Sequence, residues 1–179
     1  MNIIIVLAAA IVLIVMLLKL IKSAVKTLLL VGTIAIIVSF IFGIFVLQDY
    51  FDLKNSEKTF LLAKDSRYVA GFMIKEFGGE KTYLTDSDLE NTNNISEKRV
   101  FVLDSGKIKS DEIITLEGKE HTVTELADSI EDSQGSVIFG MIFDFVSGNN
   151  KILYLIREYR NGDIIVLTKT PLFIAAKLL

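Results

Sequence analysis

The chain has 179 residues, 51% of them apolar, with a mean hydropathy of +0.51, which excludes an ordinary soluble enzyme, a disordered chain and, given where the excess lies, a polytopic transporter. That excess sits in the first 48 residues, of which only eleven are not apolar and which hold three Lys and no acid. The remaining 131 residues carry a net charge of −6 without a basic block, which argues against nucleic acid as a partner, and the absence of cysteine excludes thiolate zinc, iron–sulfur and disulfide-stapled designs.

Residues 3–18 are consecutively apolar and residues 27–47 carry no charge. At ~1.5 Å rise per residue the second stretch makes ~31 Å of helix, the thickness of a hydrocarbon core. No basic residue precedes Ile3, and Ala8, Ala9 and Ala10 lie mid-run, which argues against a cleaved signal peptide. The expectation is a transmembrane hairpin over residues 1–48, with spans at 3–18 and 27–47, followed by an extramembrane domain over 49–179. Lys19, Lys22 and Lys26 are the only charges in the anchor, so the positive-inside bias puts them in the cytoplasm and the domain on the other side of the cell membrane. A single helix through all 45 residues is the competing reading, since no Gly or Pro marks a turn and the lysines share one face. Gly32, Ala35, Ser39 and Gly43 form a seam of small residues, suited to packing of the two spans or to self-association.

Beyond the anchor, a polar linker over Asp52 to Lys58 leads to two β-prone runs, 59–63 and 68–74, which read as a hairpin turning at Asp65-Ser66. A short helix is expected at 86–90, a loop at 91–96, a strand at 99–103, a turn at 104–107 and a strand at 112–116 ending on Glu117-Gly118. Thr122 with Glu125 three residues on is a capping box for a helix near 123–132. The apolar segment 134–146 is too short to span and reads as a buried or membrane-dipping helix. A helix over 151–160 closes on Asn161-Gly162, a strand follows at 163–167, and Thr170-Pro171 opens an amphipathic helix that must dock on the domain, the membrane or a partner. Strands mixed with helices without βαβ alternation define an α+β domain.

The double apolar stretch, the Leu53-Lys54-Asn55 linker, the Thr59-Phe60-Leu61-Leu62 segment and the terminal run from Asp163 to Phe173 together resemble small uncharacterised archaeal membrane proteins. The resemblance implies no activity and transfers no functional residue.

Three groups invite chemistry. Asp144 is flanked by Phe139, Met141, Ile142, Phe143, Phe145 and Val146, where burial would raise its pKa and make it a functional candidate; the preferred reading is that on a helix it faces solvent or pairs with Lys151 or Arg157. Ser105 and Lys107 suggest a Ser–Lys nucleophile, set against an ordinary hydrated turn. His121, the sole histidine, lacks further ligands and reads as an exposed turn residue; Glu125, Asp128, Glu131 and Asp132 read as a solvated acidic face rather than a cation site. Asn94-Ile95-Ser96 fits a glycosylation acceptor, and no phosphate-binding loop is present. No cofactor or metal is implied. The preferred reading is a noncatalytic anchored protein that binds another protein or organises a membrane complex; the alternative is a membrane-bound hydrolase using Asp144 or the Ser105/Lys107 region.

Overall fold

The computed structural model describes residues 3–91 and 99–178. Its first element corrects the expected hairpin: α1 is one unbroken helix, Ile3–Asn55, of 53 residues. The reason is local. The segment joining the two apolar stretches, Lys19-Leu-Ile-Lys-Ser-Ala-Val-Lys26, consists mostly of good helix formers with no Gly, Pro or Asn to release the backbone, so every residue continues the turn before it. The helix also runs through Asp52 to Asn55, which shortens the expected polar linker to Ser56 and Glu57. It is long and apolar enough to cross a membrane.

The chain divides into two compact units, Met1–Ile44 and Phe45–Leu179. In the first, every residue whose burial is described is exposed, including Leu28 at 74% and Phe40 at 70%. The second begins with the last turns of α1. It continues as strands β1 (Lys58–Lys64), β2 (Arg67–Ile74) and β3 (Lys81–Tyr83), helix α2 (Asp86–Glu90) and strand β4 (Arg99–Asp104). A 3-10 turn over Ser105–Lys107 leads to strands β5 (Ile113–Leu116) and β6 (Lys119–Thr122), then helices α3 (Val123–Ser129), α4 (Ser136–Ser147) and α5 (Lys151–Asn161), strand β7 (Ile164–Val166) and helix α6 (Pro171–Leu178). The domain is α+β.

Five strands form one mixed sheet in the order β3-β2-β1-β4-β7, and β5 with β6 makes a separate hairpin. β1 pairs antiparallel with β2 and parallel with β4, so Phe60 stands beside Phe72 on one side and Phe101 on the other. Their rings stack at 5.0 and 5.2 Å, and Phe143 of α4 closes on Phe60 at 4.4 Å. This face, with Leu62 and Leu103, is the main core and is joined by residues of α3, α4, α5 and α6. The opposite face buries Leu61, Val100 and Val102 with Leu84 and with Leu89 of α2.

The turns follow from their residues. Asp65 and Ser66 both take positive φ, at 51° and 64°, the two-residue geometry that matches the twist of a hairpin. Glu117 and Gly118 do the same at 51° and 80°, so they reverse the chain into β6 instead of ending the strand run. Gly71 is required by proximity: a Cβ there would lie 2.8 Å from Leu84 Cδ1 and 3.0 Å from the Phe60 carbonyl oxygen. The expected loop at 91–96 falls outside the described residues except for Asn91, as does the Asn94-Ile95-Ser96 motif.

Candidate functional site

Strand directions place several polar groups at one end of the sheet. β1 starts there from the end of α1, β4 runs parallel to it from Arg99, and antiparallel β2 returns to it at Ile74. Asp49, on α1, is 6% exposed; its Oδ1 lies 2.7 Å from Arg99 Nη1, and its Oδ2 accepts a hydrogen bond from the Leu172 amide at 2.9 Å. One carboxylate thus ties α1 to β4 and to the first turn of α6. The same bond amends the expected cap of α6. The Thr170 carbonyl accepts from Ile174 N at 3.0 Å, as a residue at the N-cap position does, but its hydroxyl is buried without a partner and Asp49 supplies the side-chain cap.

Lys58 is the second buried charge. It is fully buried, its register partner across the sheet is Arg99, and its ammonium donates to the carbonyls of Ser56 at 2.5 Å, Lys75 at 3.1 Å and Lys54 at 3.4 Å. Lys54 lies in the last turn of α1, so Lys58 covers carbonyls the helix end leaves open. The ammonium also sits 4.5 Å from the centre of the Phe77 ring. Burial, and then the neighbouring Arg99 charge, lower its pKa to about 8, against the opposing pull of Glu76.

Beside these groups lies an open cleft of about 510 Å³. Its walls are Tyr50 and Lys54 of α1, Phe77 and Gly78 of the β2–β3 turn, and residues 148–152 where α4 gives way to α5. Asn150 caps α5, accepting from the Leu153 amide at 3.3 Å.

Asp144 stands on α4 close by. It forms ion pairs with both Lys81 and Lys151, and its side chain is 49% exposed. This agrees with the preferred reading from sequence, in which the acid faces solvent or pairs with Lys151 or Arg157. Desolvation is the largest single influence and acts upward, but the hydrogen bonds and charges of Lys151 and Lys81 together outweigh it and hold the carboxyl below its ordinary value. Lys151 is one of the two partners weighed from sequence; Arg157, the other, turns to Glu158 at 2.6 Å.

Ser105 and Lys107 are used separately. Ser105 is buried, whereas the Lys107 ammonium donates to the Gly162 carbonyl at 2.6 Å. His121 is a partly buried residue of β6 opposite Ile114, not an exposed turn residue, because the Glu117-Gly118 reversal extends the hairpin through it. Glu125 completes the capping box with Thr122, and those hydrogen bonds lower its pKa; Asp132 accepts from the Gln134 amide. Among the described residues, no group of three or more His, Cys, Asp or Glu is placed to hold a metal ion. Along α1, Gly32, Ala35, Ser39 and Gly43 are exposed, and nothing lies within 4 Å of a Cβ built at Gly32 or Gly43, so among the described residues none packs on the seam at those glycines.

Asp49, Lys58 and Arg99 were not distinguishable from sequence. Each reads as an ordinary polar residue at an element boundary, and only the pairing of β1 with β4 brings them together. Comparisons with protein-family profiles, curated proteins and solved structures found no match.

Proposed function

We propose that this is a noncatalytic membrane-anchored protein whose domain binds another protein or organises a membrane complex at the bilayer surface. The observation that carries the reading is the continuity of α1: a helix apolar all round enters the domain, where Leu53 is fully buried in the core and Asp49 caps α6. A helix of that kind requires lipid or protein around it. Residues 27–47 match the hydrocarbon thickness, and Lys19, Lys22 and Lys26 mark the cytoplasmic leaflet, which puts the domain on the non-cytoplasmic side.

For the protein partner, α4 offers Val137, Met141 and Phe145, four residues apart and each more than a third exposed. Apolar side chains in such a row favour association. The seam of Gly32, Ala35, Ser39 and Gly43, exposed among the described residues, supports self-association in lipid.

The test uses single cysteines at Ser23 and Ser110 in intact cells, with an impermeant thiol reagent. Labelling at Ser110 alone is expected, together with retention of the chain in the membrane pellet after alkaline carbonate washing. Release by carbonate sinks the anchor, and labelling at Ser23 alone inverts the topology. A photo-crosslinking residue at Met141 is expected to capture a discrete protein partner; crosslinks no more abundant than those from exposed Lys109 count against that face.

A further inference from the structure

We propose that the cleft beside the last turn of α1 binds a phosphate group, carried by an anionic lipid headgroup or by a soluble phosphate compound. The cleft of about 510 Å³ is lined by Lys54, Lys151 and Tyr50, residues whose side chains carry ammonium and phenol donors. Lys54 is exposed. Lys151 shares Asp144 with Lys81, so two ammonium groups meet that one carboxylate beside the cleft. The floor adds backbone donors. With the Leu153 amide satisfied by the Asn150 side chain and the Tyr154 amide by the Asn150 carbonyl, the first amides of α5, those of Lys151 and Ile152, belong to residues that line the cleft.

Two glycines leave the wall low. Gly78 and Gly148 have φ of 89° and 54°, and nothing lies within 4 Å of a Cβ built at either, so a tetrahedral anion can approach their backbone. Height along α1 favours a lipid source. Tyr50 and Lys54 lie three and seven residues past Leu47, the last residue of the apolar stretch, or roughly 5 and 10 Å along the helix, the depth of a headgroup layer. Phe77 and Ile152 give the cleft an apolar side where the glycerol of a lipid can rest. The lipid source rests on the membrane-anchor reading; the phosphate site itself does not.

The test follows the Lys151 and Ile152 amides by NMR in the full chain, held in maltoside micelles. Inorganic phosphate is titrated in one arm and phosphatidylglycerol in the other, each against sodium chloride at matched ionic strength. Saturable shifts of both amides are expected, with affinity about tenfold weaker in Lys54→Gln, the loss of one charge-assisted contact, and unchanged in Lys109→Gln. Shifts with phosphatidylglycerol that persist against excess phosphate identify a headgroup site, and shifts with phosphate alone identify a soluble ligand. No saturable shift in either arm, equal shifts with chloride, or equal affinity in Lys54→Gln overturns the site. If carbonate releases the chain while phosphate still binds, the anchor reading fails and the site stands.

Discussion

Asp49 and Lys58 show how much a single side chain carries at the end of α1. Asp49 neutralises Arg99, whose side chain is 18% exposed, and satisfies the Leu172 amide. In Asp49→Ala both partners keep their burial and lose their acceptor, a loss of roughly 3 kcal/mol or more. A lowered thermal midpoint of the full chain is expected, and a further Arg99→Met is expected to restore part of it by removing the stranded charge. An unchanged midpoint in the single variant would show that the ion pair stabilises nothing. Lys58 acts in the opposite sense. Its folded pKa of about 8 is below the ordinary 10.5, so the unfolded chain binds the proton more tightly between those values. Stability attributable to Lys58 therefore rises with pH across that window. The melting temperature of the natural chain relative to Lys58→Met is expected to climb between about pH 7.5 and about pH 10. A constant difference would mean that burial among Arg99, Glu76 and the three carbonyls leaves the amine's affinity for protons unaltered.

Among the elements, α6 tests how a short apolar helix is held. Phe173 is buried against Phe101 at 5.7 Å and Tyr159 at 5.1 Å, while Leu172 and Ala176 join the same core. This favours docking on the domain among the three destinations weighed from sequence. Phe173→Ala is expected to cost about 3–5 kcal/mol, read as a fall in the denaturation midpoint, and deleting residues 171–179 is expected to open the domain to protease. A truncated chain with unchanged protease resistance would show that α6 is an appendage. Elements of this kind were legible where their signal is local: the Asp65-Ser66 turn, the Thr122–Glu125 box and the Gly162 stop each sit within a few residues of what they specify. β3 and β6 were not, because strands of three and four residues owe their state to a partner strand. The pairing of Asp144 with Lys151 was among the alternatives legible in the sequence, whereas Lys81, 63 residues away, was not.

For the whole molecule, the concentration of apolar residues before residue 49 and an acidic stretch mixing strands and helices after it were readable from the sequence, whereas the path of the apolar segment was not. Hydropathy reports which residues shun water, and two apolar stretches separated by lysines satisfy it equally as a hairpin or as one helix. Local backbone preference decides between them, and here it favours continuity. The order of the lysines and the apolar residues 27–47, on which the proposed topology rests, is the same for either path. What changes is residues 3–18, which continue beyond the lysines along the same axis and need lipid or another protein around them. The direct measurement is a spin-label distance in the full chain, reconstituted in bilayers, between cysteines replacing exposed Leu13 and Ile34. One continuous helix separates these positions by about 32 Å, at ~1.5 Å per residue. A distance near the ~10 Å of two packed antiparallel helices would contradict it.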